Sequence, residues 1–193
     1  VYEGAGTNCR GAVGLAVSAD GVHFEKKGII LDYSRGGTGL EGANVGTPDI
    51  FKLGNTWYVS YHAFNWSDCQ ICVATGTDLT NLSKAGENPV IPTSNTHQAP
   101  DSGTTGRRDI LYYDGWFYMV YEISTDQPYD SAKWGHAFAR SKDFIVWETV
   151  GQIYPSTNGG FGNDGPSWLV INGEIYVYFR TGSTSRYKLT LSQ

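Results

Sequence analysis

Short runs of alternating apolar and polar residues, broken by Gly, Asn and Asp pairs, recur along this chain at a spacing of about 60 residues. The run from Gly46 to His62, GTPDIFKLGNTWYVSYH, predicts a strand over Asp49–Leu53, a tight turn at Gly54-Asn55 and a second strand over Trp57–His62. Period-two patterning on either side of a Gly-containing pair is the sequence mark of a β-hairpin. The unit returns without a gap at GRRDILYYDGWFYMVYE (Gly106–Glu122) and DGPSWLVINGEIYVYFR (Asp164–Arg180). Asp49 then aligns with Asp109 and Ser167, and Tyr58 with Tyr118 and Tyr176.

A second shared segment follows each hairpin. Val17–Phe24, Thr75–Leu82 and Arg140–Trp147 each hold an Asp (Asp20, Asp78, Asp143) at the same place, before a large apolar residue. An Asp carboxylate there accepts bonds from backbone N–H groups and so favours a turn. A fourth short strand is expected at Gly28–Leu31, Val90-Ile91 and Gly151–Tyr154. Repeats of four antiparallel strands are the blades of a β-propeller, which gives an all-β fold class. The blades read as a partial blade over 1–31, full blades over 47–92 and 107–154, and a partial blade over 164–192, all in one propeller domain spanning 1–193. Val1-Tyr2-Glu3 aligns with the end of a second strand, so the innermost strand of the first blade is expected from a missing segment or a second chain. An unpaired edge there would otherwise invite aggregation.

Composition narrows the function. Aromatics make up 14% of 193 residues, with 25 Gly, and no apolar run has helical period for more than about two turns. The net charge of −5, with Arg107-Arg108 the nearest thing to a basic cluster, argues against a nucleic-acid partner. No apolar run approaches the roughly 20 residues of a membrane span, so no membrane partner is expected. Cys69 and Cys72 form a C-x-x-C without a second pair or a His at ligand spacing. They read as buried or free thiols rather than zinc ligands, and a Cys9–Cys69 disulfide across adjacent blades is the alternative. The sequons at Asn65 and Asn81 favour a secreted or periplasmic protein. Gly37–Gly42 fits G-x-G-x-x-G, but a strand rather than a helix follows, so the stretch reads as a flexible loop and not a dinucleotide site.

In a propeller, the starts of the innermost strands open on one mouth of the central channel, where ligands bind. Asp49 and Asp109 occupy that place, and Asp164 lies three residues earlier in its own blade. The ends of the second strands carry Glu3, His62, Glu122 and Arg180, beside the same mouth. Their variety argues against a single repeated structural job. Glu41 and the stretch His97–Asp101 are further loop groups expected near that face, with Trp66, Trp134 and Tyr129 as channel-mouth aromatics.

Thr47-Pro48-Asp49-Ile50-Phe51, with the hairpin after it, resembles the A-P-D-[IV] hairpin of glycoside hydrolase family 43. Gly14-Leu15-Ala16-Val17-Ser18-Ala19-Asp20-Gly21 resembles the third strand of that family and its five-bladed relatives, families 32, 62, 68, 117 and 130. Arg108-Asp109 is similar to the R-D of family 32, and Asp164-Gly165-Pro166 to the E-G-P of family 43, with Asp for Glu. The resemblance implies a five-bladed propeller that cleaves glycosidic bonds of a poly- or oligosaccharide with two carboxyl groups. It makes Asp164 the general acid, with Glu122 as the alternative. Asp49 would tune the acid, and Asp109 would bind sugar or stabilise charge. Arg108, His62, Arg180, Glu3 and Trp134 would contact the substrate. The base or nucleophile would sit on the innermost strand of the first blade. No cofactor is implied; a calcium occurs in some relatives, but no ligand run identifies one here. A propeller that binds sugar without cleaving it is the other reading of the same residues.

Overall fold

The computed structural model describes residues 1–5, 10–33, 39–65, 69–91, 104–124, 134–154, 163–181 and 184–190. They form four antiparallel sheets in two compact units, Val1–Ile91 and Pro92–Gln193. The first unit holds a three-stranded sheet, β1 (Tyr2–Ala5), β2 (Gly11–Val17) and β3 (Glu25–Asp32), and a four-stranded one, β4 (Asn44–Leu53), β5 (Thr56–Phe64), β6 (Cys69–Gly76) and β7 (Ser83–Lys84). The second holds β8 (Thr105–Tyr113), β9 (Trp116–Ser124), β10 (Trp134–Ser141) and β11 (Trp147–Tyr154) in one sheet, and β12 (Asn163–Ile171), β13 (Glu174–Thr181) and β14 (Thr184–Leu189) in the other. Strands pair in chain order throughout, which is the up-and-down build of propeller blades.

The hairpins form where the pattern predicts them. Gly54, Asp114-Gly115 and Asn172-Gly173 all carry positive φ, the conformation that lets a two-residue turn follow the twist of its strands. The Asp turns form as well. Asp20 accepts the N–H groups of Val22 and His23, and Asp143 those of Ile145 and Val146. The His23 ring beside it, and then the His23 amide, hold the Asp20 carboxyl well below its usual range.

Two expectations change. The fourth strand of the second sheet is Ser83–Lys84, paired with Ala74 and Thr75, whereas Ile91 makes only a single bridge to Ile71. The stretch read as a flexible loop contains a 3-10 turn over Gly39–Glu41, and Glu41 is buried there at 2% exposure. Glu41 accepts a hydrogen bond from the Tyr61 hydroxyl (2.7 Å) and is ion-paired with Lys84, whose Nζ also donates to the Asp32 carbonyl (3.1 Å). A buried carboxylate needs such partners, and here they tie a Gly-rich connection to both sheets of its unit.

Each unit has its own core. In the first, Val13 and Leu15 meet Val45, Val59, Tyr61 and Cys72. In the second, Tyr118 and Val120 meet Trp168, Val177 and Phe179. Phe138 stacks on Trp168 with ring centres 5.4 Å apart, and His136 on Phe179 at 4.5 Å. Cys69 and Cys72 are buried, and Cys9 lies outside the described residues.

Candidate functional site

The hairpin's first strand is bulged at the same place in three sheets. The register slips between Gly46 and Asp49, between Thr105 and Arg108, and between Asp164 and Ser167. Two residues of the first strand then oppose one of the second, which turns a backbone N–H out of the ladder and re-aims the neighbouring side chains. Thr47 (φ 40°) and Gly165 (φ 68°) hold the matching bulge position in the left-handed region. That conformation is strained for a β-branched residue.

The freed N–H groups are bound by the strand-end carboxylates. Glu122 Oε2 accepts the Arg107 N–H (2.7 Å) on its own sheet's first strand, and Oε1 accepts the Gly165 N–H (2.7 Å) on the first strand of the next sheet. Glu3, its counterpart in the first unit, reaches the Thr47 N–H (2.7 Å) on the next sheet in the same way. His62 also serves a bulge, with Nδ1 at 2.9 Å from Thr47 Oγ1. Glu3 and Glu122 thus do the same job at the bulge N–H groups, whereas His62 meets the Thr47 hydroxyl instead.

Asp109 makes a second tie between β8 and β12. Its Oδ1 accepts the Ile110 N–H (3.0 Å), and Oδ2 accepts the Trp168 N–H (2.6 Å) and the Ser167 hydroxyl (2.9 Å). The Trp168 indole N–H donates back to the Asp109 carbonyl (3.1 Å). Asp49 holds the equivalent place on β4, half-buried, with Oδ1 on the Ile50 N–H (2.8 Å). Arg108 is buried at 7% exposure, whereas Arg107 is exposed and its guanidinium lies beside Gly165. The backbone of Asp164 pairs with that of Arg180 at the start of β12. The side chains of Asp164 and Arg180 lie outside the described residues, as do Trp66, Tyr129 and His97–Asp101. Trp134, expected as a sugar platform, is instead buried at 5% exposure against Gly106, so it serves the core.

Several solved glycoside hydrolases share this arrangement of strands. Zg3597, a family 117 glycoside hydrolase of the marine bacterium Zobellia galactanivorans, superposes with a TM-score of 0.72 at 17% identity, over 93% of this chain and 52% of its own. The GH32 beta-fructofuranosidase BmSUC1 of Bombyx mori gives 0.66 at 16% identity, over 92% and 36%. The Bacillus subtilis arabinanase Arb43A gives 0.57 at 18%, over 75% and 51%. This chain has the fold of the β-propeller glycoside hydrolases. It spans about half or less of the length of those three structures. The sequence matches no protein-family model and no curated protein.

Within that fold the sequence reading missed His136. Register pairs place it opposite Glu122, where the other sheets have Val13 opposite Glu3 and Ile71 opposite His62. It is fully buried and stacked on Phe179, an aromatic of the core between β10 and β13. The available signal was a His among small apolar residues in Trp134-Gly135-His136-Ala137, where the positions opposite Glu3 and His62 carry the aliphatic Val13 and Ile71. No three His, Cys, Asp or Glu side chains come together as metal ligands among the described residues. None is therefore assigned to the calcium that the resemblance allows.

The latch leaves no room for a larger residue at Gly106. A Cβ there would overlap Glu122 Oε2 and press on Trp134 at 3.1 Å. The Gly106→Ala variant is expected to lose about 1–3 kcal/mol in urea unfolding, the usual cost of overpacking against groups that cannot retreat. Unchanged stability would show that the carboxylate is free to move.

Proposed function

We propose that this chain carries part of the active site of a glycoside hydrolase acting on a poly- or oligosaccharide by paired-carboxylate chemistry. The observation that carries the reading is the pair of bulged strand starts, β8 and β12, held together by Glu122 and Asp109. They bring Arg107-Arg108-Asp109 and Asp164-Gly165-Pro166 into adjacent positions. The likeness in fold to glycoside hydrolases supports it.

Both oxygens of Glu122 and of Asp109 already accept protein donors, so neither is free to approach a glycosidic oxygen. That favours Asp164 as the general acid, which gives its proton to the leaving oxygen as the bond to the anomeric carbon breaks. A second carboxylate activates water or attacks that carbon. Asp109 fixes the β12 start, and the adjacent arginines face the sugar's hydroxyl or acidic groups. Asp49 holds the corresponding place on its own sheet.

The non-catalytic alternative draws on the same saturation of Glu122 and Asp109, since carboxylates fully used in structure do no chemistry. Incubating the purified protein with a panel of plant, algal and microbial polysaccharides, and measuring both binding and new reducing ends, separates the two. The glycosidase reading expects saturable binding accompanied by released reducing ends. Saturable binding with no release would establish the binding role instead.

A further inference from the structure

We propose that Glu122 is a positioning residue for this site, a role that rests on the glycosidase reading. Its side chain is buried at 6% exposure, and its two oxygens each hold one backbone N–H, on different sheets. The two donors, Arg107 and Gly165, are the bulge residues next to the candidate sugar-binding Asp109 and the candidate acid Asp164. Together with the Asp109 tie, this carboxylate therefore fixes the separation of the two strand starts that must meet a single glycosidic bond. Glu3 repeats the reach on the first unit with one oxygen on Thr47, but it is exposed. In the second unit the device is buried and doubled.

The geometry demands a carboxylate rather than any polar group. Both bonds run from backbone donors to Glu122, so the residue must accept at both ends. An amide offers one acceptor oxygen and turns its NH2 toward the other N–H, which breaks one tie and leaves the other. An Asp keeps both acceptors but falls one methylene short. Both variants should leave the sheets intact and loosen one strand start against the other. Misplacement of reacting groups by about 1 Å costs on the order of 10²-fold in rate.

The test uses Glu122→Gln and Glu122→Asp in the purified protein, with amide hydrogen exchange and steady-state kinetics on the same samples. The expected result is exchange at the Arg107 or Gly165 amide faster by about tenfold or more, other strand amides remaining protected. Turnover should fall by about 10–10²-fold with KM changed little, both limbs of the pH–rate profile should stay in place, and azide should rescue neither variant. Unchanged exchange at both amides would overturn the latch. Loss of one limb of the pH profile, or rescue by azide, would make Glu122 itself the acid or base and overturn the positioning role. A wild-type protein that hydrolyses no sugar would overturn the glycosidase reading and this role with it, while the exchange data still decide whether the carboxylate binds the two amides.

Discussion

Replacing Glu41 by Ala should destabilise the first unit by about 3–5 kcal/mol, the range for removing one partner of a buried ion pair. The variant strips Lys84 of its counter-charge while the ammonium still points at the Asp32 carbonyl in a half-enclosed site. It also takes the acceptor from the Tyr61 hydroxyl, a group buried at 0% exposure. Most of the loss is the cost of leaving those groups unmatched, not the strength of the pair itself. The double variant Glu41→Ala with Lys84→Met should therefore recover a substantial part of it, because an apolar replacement of both partners is often close to neutral. A double-mutant cycle in urea at neutral pH gives the coupling directly. If Glu41→Ala costs under about 1 kcal/mol, the carboxylate is solvated and the connection is not anchored by it.

Replacing Glu122 by Ala should cost a similar amount, about 3–5 kcal/mol, for a different reason. Here two backbone N–H groups, those of Arg107 and Gly165, lose their acceptor. Each orphaned buried donor costs about 1–3 kcal/mol. The truncated side chain also leaves space beside Gly106 and Trp134, which adds a cavity contribution. The corresponding Glu3→Ala change should be far milder, since Glu3 is exposed and water can replace it at the Thr47 N–H. Urea midpoints of the two variants, compared with wild type, test the pairing. Equal small losses would mean that the second unit is not held by the Glu122 bridge.

What could be read from the sequence follows from how locally each feature is specified. The three hairpins were legible because Gly54-Asn55, Asp114-Gly115 and Asn172-Gly173 set the turn by themselves. So were the Asp20 and Asp143 turns, whose donors lie within three residues. The bulges were not legible, since one extra residue leaves no mark in the apolar alternation around Pro48, Arg107 and Gly165. Glu41 was misread because the Gly residues around it suggest a mobile loop. Its burial depends on Lys84, 43 positions further on. The strand-end residues were assigned by chemical type alone. That made Glu122 an alternative candidate for the acid, and nothing in the sequence shows the two backbone amides that its oxygens accept. Trp134 was taken for a platform because an aromatic near a channel mouth fits either role until its burial is known.

The assignment of the acid to the start of β12 is tested most directly by the kinetics of Asp164→Asn on two substrates. One is the natural saccharide, whose leaving oxygen must be protonated, and the other an aryl glycoside of the same sugar, whose leaving group departs without help. The account predicts a loss of about 10²–10⁴-fold on the saccharide, and a much smaller loss on the aryl glycoside. Equal turnover by variant and wild type on both substrates would contradict it.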